Sequence, residues 1–341
     1  MSIVDVISRR GFSRGLLAGG MAALASRAPA QTKGPKTRVP IVMTAGVSGL
    51  VLHEMALAQG YFDEFSIEPE VLTVSDGTKS TAALINGSSD ICMWSGFNQL
   101  LPAIEKGARL RILAGALSLP SLAIYSRRPD IRSVKDLEGK NIGIGAPGAV
   151  LHQMVSLMLK KKGVDVAGIS FRNVGGNADI FKAVVAGTVD AGPSDVDVFD
   201  QQERYGVHAL TDGLLWKEVP EYTNQASYAS VDAIEKRREL LVRTLAAYAK
   251  VYRFVSAPES KDAFRRAREK VIGRNEEHEA ATQWSWIQAN QPYCKDLVLT
   301  DDQINLVQNL NVEFRVQAKV LPMSAVADMT VARDALKLLG S

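Results

Sequence analysis

The sequence predicts an α/β chain built as two similar lobes and finished by a helical tail. Three observations carry that reading. First, short apolar stretches alternate with helical ones. Asn141-Ile-Gly-Ile-Gly145 and the turn Ala146-Pro-Gly-Ala149 lead into an apolar helix ending at Gly163; Ile169-Ser-Phe-Arg-Asn-Val174 and Gly175-Gly-Asn177 then lead into a helix ending at Gly187. Such alternation implies βαβ units and a parallel sheet. Second, the plan occurs twice. Val51-Leu-His-Glu-Met55 matches Val150-Leu-His-Gln-Met154, and Ala83-Leu-Ile-Asn-Gly-Ser-Ser-Asp90 matches Ala183-Val-Val-Ala-Gly-Thr-Val-Asp190. Third, from Asp232 onward the chain reads as almost all helix. Leu241, Leu245, Tyr248, Tyr252 and Val255 recur at spacings of three and four on one helical face.

The elements follow in order. Val39–Ala45 reads as the first strand, 46–49 as its turn, and Leu50–Gln59 as a helix ended by Gly60. A strand over Ile67–Val74 precedes Ser75-Asp-Gly-Thr78, which opens the next helix with capping side chains. Asp90–Trp94 is a third strand, followed by a helix over Asn98–Lys106 and a strand over Leu110–Leu117. Ser118-Leu-Pro-Ser121 breaks the pattern, and Leu122–Ser126 resumes it. A strand is expected at Val189–Ala191, another at Val207–Leu210, and a last short one at Gln225–Ala229.

The N-terminus differs from the rest. Ser8-Arg-Arg-Gly-Phe-Ser-Arg14 precedes a mildly apolar run to Ala25, and Ala28-Pro-Ala30 suits cleavage. Residues 1–30 therefore read as a twin-arginine export signal, and no cysteine follows that would take a lipid anchor. The formal charge of +3 belongs to this segment, which holds four arginines and one aspartate. The remainder is neutral, so nucleic acid and anionic membranes are not expected partners. Only Cys92 and Cys294 are present. An exported chain allows a bridge between them, while the apolar strand around Cys92 suits a core thiol. No spacing of Cys, His and carboxylates suggests a metal, and no cofactor motif is present.

Four motifs carry a resemblance. Ala58-Gln-Gly-Tyr-Phe62, Leu84-Ile-Asn-Gly-Ser-Ser-Asp90, Val134-Lys-Asp-Leu-Glu-Gly-Lys140-Asn-Ile-Gly143 and Ala186-Gly-Thr-Val-Asp-Ala191 stand in this order. Over roughly residues 39–255 the chain resembles the substrate-binding proteins of nitrate/taurine/sulfonate-type ABC importers. The resemblance implies a two-lobe type II periplasmic binding protein with the helical C-terminal tail packed on lobe one. Lobe one would be 39–118 and 228–341, lobe two 122–224, with hinges near 118–122 and 223–229. It implies a monomeric periplasmic protein without catalysis. Its partners would be a small-molecule ligand and a membrane permease driven by a separate cytoplasmic ATPase.

Loops that follow strands line the ligand crevice in such sheets. From lobe one these supply Ser48, Gly49, His53, Asp76, Gly77, Thr78, Trp94, Ser95 and Gly96. From lobe two they supply Gly148, Ala149, His152, Gly176, Asn177, Pro193 and Asp195. Helices opening at these loops present free N–H groups and a partial positive charge, which suits a small organic anion such as a sulfonate or carboxylate, aromatic ones included. Asp76 and Asp195 point the other way, toward an amine or a pyrimidine amino group. A sensory binding protein and a pyrimidine-synthase-like enzyme share the fold; the latter is expected to carry a cysteine-rich stretch that this chain lacks.

Overall fold

The structure, a computed structural model, describes residues 35–340; the twin-arginine segment lies outside the described residues. Ten described strands form two five-stranded sheets. The first contains β1 (Thr37–Thr44), β2 (Ile67–Val74), β3 (Ile91–Ser95), β4 (Leu110–Leu117) and β10 (Gln225–Ser230), in the order β2-β1-β3-β10-β4. The second contains β5 (Leu122–Ser126), β6 (Asn141–Ile144), β7 (Ser170–Asn173), β8 (Ala191–Asp195) and β9 (His208–Leu214), in the order β7-β6-β8-β5-β9.

The sheets are mixed, where alternation alone predicts parallel ones. β10 runs antiparallel to β3 and β4, and β5 runs antiparallel to β8 and β9. The cause is the crossing. Residues 118–121 carry the chain from the end of β4 into β5, so β5 starts where the sheets meet and runs away from that junction. The other strands of its sheet run toward it. β10 returns to the first sheet in the same way. In both sheets the crossing strand takes the same place, fourth in the order. The two expected lobes thus share one topology. β8 starts two residues later than the predicted Val189 and extends to Asp195.

The first lobe carries α1 (Val47–Ala58), α2 (Tyr61–Glu64), α3 (Gly77–Ile85) and α4 (Leu100–Glu105), the last shorter than the predicted 98–106. Gly60 takes φ +70° just past α1, where a side chain would be strained. The second lobe carries α5 (Val150–Lys161), α6 (Asn177–Ala186), α7 (Gln202–Tyr205) and α8 (Leu215–Glu218), with a 3₁₀ turn at Val196–Gln201. The tail comprises α9 (Val231–Val255), α10 (Lys261–Ile272), α11 (Glu277–Asn290), α12 (Asp301–Glu313), α13 (Met323–Val326) and α14 (Thr330–Leu338).

The tail packs on lobe one. Leu241, Leu245, Tyr248, Tyr252 and Val255 of α9 are fully buried against β1, α1, α10 and α14, as their periodicity requires. Burying each such side chain is worth about 1.5–3 kcal/mol. On the other side of the sheet, one apolar cluster runs from Val42, Phe97 and Leu101 through α12 and α13 to Ile142, Met154 and Met158 of lobe two. The tail therefore touches both lobes while belonging to the first.

Candidate functional site

The loops at the carboxyl ends of the strands meet between the two sheets. The contacts there are direct. Asn98 Nδ2 donates to the Gly148 carbonyl at 3.0 Å. A Cβ placed on Gly96 would lie 2.6 Å from Val150 Cγ2, so only glycine allows this approach.

In lobe one, α1 begins at Gly46 without a side-chain cap. Gly49 lies flat on the Trp94 indole, which its Cβ would meet at 2.6 Å. Trp94 is buried, with Tyr293 at 6.2 Å between ring centres. Its ring is packed into the protein, not open for stacking. Ser48 Oγ accepts a hydrogen bond from Gln283 Nε2 at 3.0 Å. Asp76 is turned onto its own helix: its carboxylate accepts from the Lys79 N–H at 3.1 Å and the Ser75 hydroxyl at 2.7 Å. Partial burial raises its pKa, but these bonds outweigh it and hold the carboxyl below the usual range. Gly77 is buried beneath Gln99 and Gly96, Thr78 is exposed, and Ser95 is buried at the end of β3.

His53 does not join these groups. It lies nearly two turns into α1, on the face that packs against α9, with Nδ1 2.8 Å from Tyr248 Oη and the Phe62 ring at 5.2 Å. Burial pushes its pKa down to about 4, so it is a neutral core histidine.

In lobe two, α5 follows Ala149 and α6 follows Gly176, both without side-chain caps. The Gly148 N–H donates to His152 Nδ1 at 2.9 Å, which places the neutral ring's proton on Nε2. The imidazole sits between Phe171 and Phe314, at 4.4 and 4.6 Å, and burial lowers its pKa. Asn177 Nδ2 donates to both Asp195 oxygens, at 3.0 and 3.1 Å. Pro193 is buried within β8. The Asp195 carboxyl is pushed up to about 7, first by burial and then by the Asp197 carboxylate; Asn177 and Arg268 pull it back. Asp195 as a whole is half-buried at the end of β8.

Tail residues complete the junction, and none of them was singled out from sequence. Arg268 of α10 is 3% exposed. Its NH1 donates to Gln283 Oε1 at 2.7 Å, and its NH2 reaches Asp197 and Glu276, each at 2.9 Å. Arg265, Arg266 and Arg268 look alike in sequence. Only helical phase separates them: Arg268 lies four residues after Phe264, on the buried face of α10. Two surface depressions, one lined by Asn141 and 171–174 and one by Glu105 and 315–318, include none of the expected ligand residues.

Both cysteines are free, buried thiols. Burial pushes each up to about 12, so neither is a ready nucleophile.

A search of curated protein sequences finds no match. Among solved structures, the chain is similar to the periplasmic aliphatic sulphonate binding protein SsuA from Escherichia coli. Identity is 19% and the TM-score 0.68, over 86% of this chain and 92% of that one. It is similar to the alkanesulfonate-binding protein SsuA from Xanthomonas axonopodis pv. citri, bound to MOPS, at 20% identity and TM-score 0.68, over 86% and 99%. The desulfurization enzyme DSZB matches at 15% identity and TM-score 0.62, over 89% and 100%. These likenesses establish the periplasmic binding protein fold, which binding proteins and an enzyme share. The family model described as NMT1/THI5 like matches residues 53–260, more than half of the chain, and the chain belongs to that family.

Proposed function

We propose that this protein is the periplasmic solute-binding component of an ABC importer. It captures a small organic anion, a sulfonate or carboxylate, between its lobes and presents the closed form to a membrane permease. The lobes are 39–118 with 228–341, and 122–224, hinged near 118–122 and 223–229. The observation that carries the ligand class is the set of helix starts. α1, α5 and α6 are ten to twelve residues long, open on the junction from both lobes, and begin without side-chain caps. An anion gains about 0.3–1 kcal/mol at an exposed terminus and up to about 2 kcal/mol when partly buried. The two SsuA proteins of similar fold, an aliphatic sulphonate binding protein and an alkanesulfonate-binding protein, support the same class.

A non-catalytic role fits the thiols and histidines of this chain. The thiols are buried, His53 is bonded to Tyr248, and His152 accepts from its own loop. A second reading is favoured by Asp195 and Asp197, whose carboxylates suit a ligand amino group, as on a pyrimidine.

Calorimetry with alkyl and aryl sulfonates, taurine, aromatic carboxylates, nitrate and aminopyrimidines tests the class. Binding by at least one sulfonate or carboxylate is expected; binding by aminopyrimidines alone would replace the anion with the second reading. Export by the twin-arginine route is tested by Arg9→Lys with Arg10→Lys. Precursor should accumulate in the cytoplasm, and normal export would remove that assignment.

A further inference from the structure

We infer that Arg268 and Gln283 make Ser48 a hydrogen-bond donor to an acceptor oxygen of the ligand, and tie that donor to closure of the lobes. The inference rests on the proposal that the ligand binds at the junction. It starts from a group that can only donate. A guanidinium has no acceptor. Arg268 NH1 lies 2.7 Å from the Gln283 side chain, so the amide oxygen must face it. The amide nitrogen then faces Ser48 Oγ, at 3.0 Å, and an NH₂ group also only donates. Ser48 Oγ is therefore the acceptor in that bond, and its own proton must go elsewhere. Among the described residues it has no acceptor for that proton.

Burial gives the relay its direction. Gln283 is 5% and Arg268 3% exposed, so water does not scramble the two bonds. Ser48 itself is half-buried in the first turn of α1, beside Gly49 and the Trp94 indole. Its free O–H adds to the unpaired N–H groups of that turn, and the combination selects an oxygen acceptor: a sulfonate, a carboxylate or a carbonyl.

The same guanidinium reaches across the lobes. Its NH2 group donates to Asp197, in the 3₁₀ turn after β8, and to Glu276 of the tail. Separating the lobes removes Asp197 from a buried cation whose Nε already lacks a partner. Glu276 alone then anchors the guanidinium that orients Gln283. The guanidinium is thus anchored by both carboxylates only when the lobes are together.

The test uses the mature protein, with butanesulfonate, benzoate and 4-aminopyrimidine as calorimetric probes. Ser48→Ala and Gln283→Glu should each weaken the best oxyanion probe about tenfold or more. A glutamate at 283 keeps an acceptor for Arg268 and offers a second one to Ser48, turning its proton inward. Arg268 keeps its partners, so thermal midpoints should stay close to wild type. On the Ser48→Ala background, Gln283→Glu should cost nothing further; a second full loss would mean plain charge repulsion and would overturn the relay. An effect of Ser48→Ala with none of Gln283→Glu would also overturn it while leaving the anion reading intact. Binding of 4-aminopyrimidine alone would sink the anion reading and, with it, the donor to a ligand oxygen. With no probe bound, unliganded Asp197→Asn decides: scattering should give a larger radius of gyration than wild type, and an equal radius overturns the tie to closure.

Discussion

Two histidines occupy matching places in the repeated sequence pattern, and their surroundings separate them. His53 and His152 each stand in the first helix after the first parallel strand of their sheet. One is enclosed by Tyr248 and Phe62; the other holds its own loop and rests between Phe171 and Phe314. The residue with the clearest electrostatic signature is Asp195. Its folded pKa of about 7 stands above the ordinary aspartate value of 3.8. The folded state therefore holds the proton more tightly than the unfolded chain. Its contribution to stability is full below the unfolded pKa and is lost as pH rises through about 7. Asp195→Asn, which keeps the shape without the charge, should raise the unfolding midpoint increasingly between pH 4 and pH 7, with a constant gain above. Midpoints that track wild type across this range, measured by calorimetry, would contradict the assignment.

At the scale of elements, α12 shows how the tail binds two lobes at once. Asn311 Nδ2 donates to the Asn98 carbonyl at 2.7 Å, and its Oδ1 accepts from Gln153 Nε2 of α5 at 2.7 Å. Tyr222 Oη donates to Gln153 Oε1 at 2.9 Å, and Gln317 links Asn311 to Gln308. All six side chains are buried. Such a network is worth keeping only when every member is paired, because each stranded buried group costs about 1–3 kcal/mol. Asn311→Ala strands Gln153 Nε2, the Asn98 carbonyl and Gln317 Oε1. The expected loss is roughly 2–5 kcal/mol, read as a lower urea midpoint at unchanged slope. A loss within error would mean that water replaces the asparagine there.

At the scale of the whole molecule, two sheets of one topology share a tail and face each other through their strand ends. Asn98 to Gly148, Asn311 to Gln153 and Arg268 to Asp197 bond one lobe to the other, so the lobes touch in the described form. A proven ligand should therefore draw the molecule toward this form. Small-angle scattering should report a smaller radius of gyration with ligand than without it. Equal radii at saturating ligand would count against a hinged clamp.

The sequence by itself determined what depends on neighbours along the chain. Strand and helix alternation, the apolar face of α9, the left-handed glycine after α1 and the doubling of the lobe are all local periodicities, and they were legible. So were the junction loops, because strands that run one way bring their carboxyl ends together. Tertiary structure alone decided which side chains at those loops are free. Trp94 is taken up by Gly49 and Tyr293, Asp76 by its own helix, and His53 by a tyrosine 195 positions away. The tail's Arg268 and Gln283 enter the site from more than two hundred residues downstream of Ser48, a distance over which no periodicity carries information. The antiparallel strands were hidden for the same reason: direction follows from where a chain crosses between lobes, which is a property of the assembled pair and not of either strand.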